Sequence, residues 1–193
     1  VVDTIKAEKP AMVFAPHVET ASGIILPDDY LKQVADAVHS VGGLFVLDCI
    51  ASGTIWVDMK KVGVDVLISA PQKGWSSSPC SALVMLSEAA DQRLHETTST
   101  SFACDLRKWR DIMIAYENGG HAYHATMPTD ALRGFRDTML ETKIGRAHVL
   151  KERQWKLGPG VRELMAKHGF ASVAAPGFEA PGVVVCYTDN DTI

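Results

Sequence analysis

Apolar runs of strand length alternate with helix-period patterns along the first half of the chain. Met12 to Ala15 is a short apolar run closed by Pro16 and reads as a buried strand. After Pro27, the residues Tyr30, Leu31, Val34, Ala35 and Val38 recur at the spacing of one helix face. A helix is therefore predicted from Asp28, acting as its cap, to about Ser40. Gly42-Gly43 stops it, as glycine just past a helix does. The unbroken apolar run Leu44 to Leu47 predicts a strand that delivers Asp48 at its C-terminal end, and Val64 to Ser69 and Ala82 to Leu86 are two further strands. This rhythm predicts an α/β sheet with mainly parallel crossovers. Such sheets bind ligands beyond the carboxyl ends of their strands. Asp48 and the Ser69 to Lys73 segment both fall at such ends.

Past Glu88 the pattern turns helical, with helices expected over Glu88 to His95, Leu106 to Glu117 and Pro128 to Glu141. Gly119-Gly120 separates the last two. A further helix is expected from His148 to Lys167, interrupted near Gly158-Pro159-Gly160. Gly182 to Thr188 then reads as a strand opening a new unit. A domain boundary falls between about Leu140 and Leu150, giving one domain over 1–143 and the start of a second over 144–193.

Composition narrows the class without naming a chemistry. Of the 193 residues 47% are apolar and 22% charged, the ordinary balance of a soluble globular protein. A net charge of −4 without a basic run gives no support for a nucleic-acid or anionic-membrane partner. No apolar stretch reaches the ~18–20 residues that span a bilayer, and no signal peptide is visible. Cys49, Cys80, Cys104 and Cys186 are widely scattered, which suits reduced thiols in a cytoplasm. Among the histidines only His121 and His124 are closely spaced, and no carboxylate or thiol completes a metal-ligand set beside them. No G-x-G-x-x-G follows a strand, and no nucleophile elbow stands out. The chain opens on Val1-Val2-Asp3 without an initiator Met and stops at Ile193 soon after an apolar run, so it reads as a piece of a longer protein.

Three segments carry the chemistry: Leu47-Asp48-Cys49-Ile50-Ala51-Ser52-Gly53, Leu67-Ile68-Ser69-Ala70-Pro71-Gln72-Lys73-Gly74-Trp75, and His121-Ala122-Tyr123-His124-Ala125-Thr126-Met127-Pro128. Singly each has a plain structural reading, as a turn aspartate, a solvated lysine and a capped helix start. In this order they resemble the class V aminotransferases of the fold type I pyridoxal-phosphate enzymes, and most of all the alanine–glyoxylate and serine–glyoxylate group. His17-Val18-Glu19-Thr20-Ala21-Ser22-Gly23, which looks like that group's H-x-E-T-S-T-G segment, adds a fourth block. The likeness covers the later part of the large domain, with its mainly parallel sheet, and the start of a small α+β C-terminal domain.

The resemblance implies pyridoxal 5'-phosphate as cofactor and assigns roles residue by residue. Lys73 would carry the cofactor and, once displaced, move the proton between substrate and cofactor carbons, a task for a neutral amine shielded by burial. Asp48 would hold the ring nitrogen in its protonated form. Ile50, two residues on and so on the same side of an extended segment, would pack against a ring face. Gln72 could donate to a phosphate oxygen, and it favours the glyoxylate or phosphoserine aminotransferases over relatives with histidine or asparagine there. Tyr123 and Thr126 match a Y-H-x-T segment that reaches the neighbouring subunit's cofactor phosphate, which implies a homodimer with its active site at the interface.

Two positions depart from the pattern. Ala21 replaces a serine hydroxyl, leaving Thr20 as the nearest one, and Ser78-Pro79-Cys80 stands where P-P-G is common. In the family the glycine-rich phosphate loop and the stacking aromatic lie upstream, and the carboxylate-binding arginine lies downstream. The chain alone is therefore expected to bind cofactor poorly. The implied activity is transfer of an amino group from a small amino acid, alanine or serine, to a small 2-oxo acid, glyoxylate or pyruvate. The rivals are 2-aminoethylphosphonate–pyruvate transamination, a class V lyase such as a cysteine desulfurase, and a non-catalytic dimeric scaffold.

Overall fold

A computed structural model describes residues 1–53, 55–145 and 147–189. Its centre is a four-stranded sheet. In chain order the elements are α1 (Val2–Glu8), β1 (Met12–Pro16), β2 (Val18–Glu19), β3 (Ile24–Ile25), α2 (Asp28–Ser40), β4 (Leu44–Asp48), α3 (Met59–Val62), β5 (Val66–Ser69) and β6 (Leu83–Leu86). Four helices follow: α4 (Glu88–Glu96), α5 (Leu106–Glu117), α6 (Thr129–Ile144) and α7 (Ala147–Lys167). The sheet order is β1-β4-β5-β6, while β2 and β3 form a separate antiparallel pair. β1, β4 and β5 run parallel and only β6 is antiparallel, so the expected mainly parallel α/β sheet is what forms.

Both faces of β4 are covered, which explains its unbroken apolar sequence. Phe45 and Leu47 join Leu31, Val34, Ala35 and Val38 of α2, with Ile5 of α1 and Val62 of α3, in the main core. Leu44 and Val46 turn the other way, onto Val66 and Ala90 of α4. A third cluster joins Val18 and Ile25 of the small hairpin to Ile55 and Ala180.

Several expectations are corrected. Asp28 is the first residue of α2 rather than its cap; Pro27 holds the cap position with extended backbone, and the carboxylates of Asp28 and Asp29 favour the positive end of the helix instead. α7 runs unbroken through Pro159, although proline removes one intrahelical hydrogen bond. Here Gly158 has a reason other than helix breaking. A Cβ on it would lie 2.6 Å from the Cα and carbonyl oxygen of Pro181, so glycine lets the 181–183 segment pack against the helix. Gln154 Nε2 donates to Pro181 O at 2.7 Å and Arg162 to Val183 O at 2.9 Å, fastening the same contact. Nor does Gly182 to Thr188 form a strand: it contributes one isolated bridge, Ser172 with Cys186. Its neighbouring residues instead close on the hairpin, where Ile25 N–H donates to Phe178 O and Ala180 N–H to Gly23 O, both at 2.8 Å.

Candidate active site

The carboxyl ends of β1, β4 and β5 lie side by side. Pro16 pairs with Asp48 and Asp48 with Ile68. Main-chain bonds extend this register past the strand ends, with His17 N–H donating to Asp48 O at 2.8 Å and Cys49 N–H to Ile68 O at 2.7 Å. The loops that follow β4 and β5 then meet. Gly53 and Gly74 pass so closely that a Cβ on Gly53 would lie 3.0 Å from the Gly74 Cα and N, and this crossing brings the Asp48 loop against the Lys73 loop.

Asp48 ends the buried run as an exposed residue, and its Oδ1 accepts the Ile50 N–H at 2.9 Å, which fixes the turn and the carboxylate together. Ile50 is half-buried. Pro71 is fully buried and anchors the next turn, while Gln72 and Lys73 stand exposed on it. The turn is closed by Ser76 N–H to Lys73 O at 2.9 Å and Ser77 N–H to Pro71 O at 3.0 Å, with Ser76 in the left-handed region at φ 56°. Trp75 locks it from outside through edge contacts to Trp56 at 4.8 Å and Phe135 of α6 at 5.5 Å. Lys73 is thus held at its backbone but open at its side chain, whereas its assigned role expects burial.

Thr20 is exposed, at the turn between β2 and β3. Tyr123 and Thr126 come together with each other, their hydroxyls 3.1 Å apart, on the exposed connection between α5 and α6. That connection is pinned by His124, whose Nε2 lies 2.8 Å from Phe102 O and whose ring stacks against Phe102 at 4.1 Å. An apolar groove of about 450 Å³ lined by Trp56, Trp75, Met139 and Leu140 lies beside the site, and none of Asp48, Ile50, Gln72 or Lys73 lines it.

The residues present suit a pyridine cofactor with a reactive aldehyde. They are one exposed carboxylate at the end of β4 and one exposed amine on the turn after β5, both at the ligand-binding edge of a parallel sheet, with half-buried Ile50 two residues past the carboxylate. Among the described residues no cluster of His, Cys, Asp and Glu is placed to hold a metal ion, and no helix is long and apolar enough to cross a membrane.

Sequence reading gave His17 no role beyond its motif, yet it is a buried centre of this edge. Only 2% exposed, its Nδ1 lies 2.9 Å from Ser52 Oγ and 3.9 Å from Cys49 Sγ. Burial lowers the imidazole pKa from 6.5 to about 4, against a smaller upward pull from Asp28, and Lys151 adds a further downward push. Burial likewise pushes the Cys49 thiol up to about 12, so it stays protonated.

With the folded pKa of His17 below its unfolded one, the unfolded chain binds the extra proton, so the neutral ring favours the folded state fully above about pH 6.5. That contribution is lost as the pH falls toward about 4, and amounts to about 3 kcal/mol at ~1.36 kcal/mol per unit. His17→Gln, which cannot titrate, should lose correspondingly less stability than wild type between pH 7 and pH 4. Urea midpoints compared across that range test this, and parallel acid profiles would contradict it.

Comparison with known proteins gives the family and the fold. The alanine–glyoxylate aminotransferase of Felis catus is 29% identical over 71% of this chain and 33% of its own length. A 2-aminoethylphosphonate–pyruvate transaminase of Pseudomonas aeruginosa is 27% identical over 98% of this chain and 50% of its own length. The chain thus spans about a third to a half of the curated relatives it matches. In fold it is similar to the crystal structure of an alanine–glyoxylate aminotransferase from Nostoc sp., with a TM-score of 0.87 at 20% identity, covering 100% of this chain and 50% of that one. The family model described as aminotransferase class-V matches residues 2–174, and the chain belongs to that family, whose members imply pyridoxal phosphate.

Proposed function

We propose that the protein carrying this chain transfers an amino group from a small amino acid, alanine or serine, to a small 2-oxo acid, glyoxylate or pyruvate. The observation that carries this reading is the placement of Asp48, the last residue of β4, and Lys73, on the turn after β5, at the carboxyl edge of neighbouring parallel strands whose following loops cross at Gly53 and Gly74. When bound there, pyridoxal phosphate supplies the conjugated pyridinium that accepts the electron pair of the substrate Cα–H bond.

The chain's own residues do the rest. Asp48 would accept a hydrogen bond from the protonated ring nitrogen and hold that proton in place, its carboxylate already oriented by the Ile50 N–H. The Lys73 amine is the point of attachment, and when free it takes the substrate Cα proton and returns it at the neighbouring position. Ile50 would present an apolar surface to a ring face, Gln72 would offer a donor to a phosphate oxygen, and Thr20 would supply the nearest hydroxyl to the cofactor in place of the serine that Ala21 replaces. Tyr123 and Thr126, paired and exposed, are free to serve a neighbouring subunit. We read the homodimer as the working unit, with the partner supplying the cover that Lys73 lacks here. Scattered free cysteines fit a reducing, cytoplasmic setting, and the unit boundary we read at 143/144 falls in the last turn of α6, just before Gly145.

The second reading, 2-aminoethylphosphonate–pyruvate transamination, is favoured by the near-complete coverage of this chain in the Pseudomonas match. An amino-acceptor panel on the full-length protein separates the two. Glyoxylate converted with alanine or serine as donor is the expected result, and exclusive use of 2-aminoethylphosphonate with pyruvate would overturn the first reading in favour of the second.

A further inference from the structure

The Asp48 loop turns back over a buried polar pair that the roles above do not use. His17 occupies the junction between β1 and β2 and is bound to its surroundings three ways. Its N–H donates to Asp48 O at 2.8 Å, its carbonyl accepts Leu26 N–H at 2.9 Å, and its Nδ1 lies 2.9 Å from Ser52 Oγ. Ser52 is itself only 3% exposed. Its N–H donates to Cys49 O at 3.3 Å and its carbonyl accepts Ile55 N–H at 2.7 Å, so Ser52 is the fixed point of the turn that begins at Asp48. The next residue is Gly53, whose backbone crosses Gly74, the neighbour of Lys73. A continuous mechanical path therefore runs from His17 through Ser52 and the Gly53–Gly74 crossing to the Lys73 turn.

We propose that His17 is a positioning residue of this site, holding the Asp48–Gly53 loop through Ser52 and thereby setting the spacing between Asp48 and Lys73. With the ring proton on Nε2, the Ser52 hydroxyl donates to Nδ1, and the pair needs no charge. A shift of Ser52 would either drive Gly53 into the Gly74 backbone, where there is no room, or open the crossing. Either movement displaces the Asp48 carboxylate relative to the Lys73 amine. Asparagine in place of His17 can offer its side-chain oxygen near the position of Nδ1, whereas alanine can offer nothing.

The inference rests on the transaminase reading, and two measurements on the full-length protein keep their failures apart. The first is amide exchange without cofactor. His17→Ala and Ser52→Ala should each speed exchange of the Cys49, Ser52 and Ile55 amides about tenfold while the Phe45 and Leu47 amides exchange as in wild type. His17→Asn should restore most of the protection. The second is titration with pyridoxal phosphate. Each alanine variant should bind about tenfold more weakly, the double variant no more weakly than either single one, and His17→Asn close to wild type. Unchanged exchange in the 49–55 amides, or equal loss of protection throughout β4, would make His17 an ordinary core residue and overturn the proposal. Normal pyridoxal phosphate binding in the alanine variants would overturn it too. Failure of the wild type to bind pyridoxal phosphate would instead sink the transaminase reading, with the exchange result still deciding whether the clamp exists.

Discussion

Replacing Lys73 by alanine in the full-length protein is expected to abolish covalent retention of the cofactor and to lower the transamination rate by at least 10²–10⁴-fold, the usual worth of a positioned acid–base group. The loss should be chemical rather than structural. Lys73 is exposed, its turn is closed by main-chain bonds and by buried Pro71, and no packing is removed with its amine. Stability should therefore stay within about 0.5 kcal/mol of wild type. Lys73→Arg should be as inactive as the alanine variant, because a permanently protonated guanidinium can neither attach the cofactor nor take a proton. Rates on alanine plus glyoxylate, with parallel urea unfolding, separate the two effects. A Lys73→Ala protein with near-normal turnover would remove the residue from the mechanism.

The second large effect is expected far from the chemistry, at Asp65. This carboxylate is 5% exposed, at the amino end of β5. Its Oδ2 accepts the Phe45 N–H at 2.8 Å and faces His39 Nε2 at 2.7 Å, and its Oδ1 accepts the Ser87 hydroxyl at 2.9 Å. One side chain thus ties the end of α2, the start of β4 and the start of α4 to β5. Asp65→Ala leaves a buried amide and a hydroxyl without their partner, and is expected to cost about 3–5 kcal/mol. Against a typical total of ~5–15 kcal/mol that is enough to unfold much of the population at 37 °C. Asp65→Asn keeps an acceptor and should cost roughly half as much. Asp48→Asn, at the exposed end of β4, should change stability by no more than about 1 kcal/mol while impairing activity. Denaturant midpoints of the three variants give the test, and equal effects at Asp48 and Asp65 would contradict the division of labour between them.

Legibility followed how local each cause was. The run from Leu44 to Leu47 could be read as a doubly buried parallel strand because the sheet needs apolar residues on both of its faces, and the structure covers both. The α2 stripe was equally plain. β2, β3 and α3 are too short to show a period, so nothing in the chain announces them. Gly158-Pro159-Gly160 reads as a break because the packing that calls for glycine at 158, against Pro181, is tertiary and leaves no local signal. Asp65 and His17 look like ordinary polar residues, since their partners are distant in sequence.

The site was legible to an uneven degree. Strand ends pointed to Asp48 and to the Lys73 loop, and the parallel register brings them to one edge. Gln72, Thr20, Tyr123 and Thr126 rested on resemblance, because a hydroxyl or amide in a loop carries no signal of what it touches.

Everything proposed for this site turns on Lys73 as the residue that carries the cofactor. Incubating the full-length protein with pyridoxal phosphate, fixing the linkage with borohydride and mapping the peptides by mass tests it most directly. One modified peptide is expected, the one containing Lys73, and none in the Lys73→Ala variant. A cofactor mass on another lysine, with the Lys73 peptide unmodified, would contradict it.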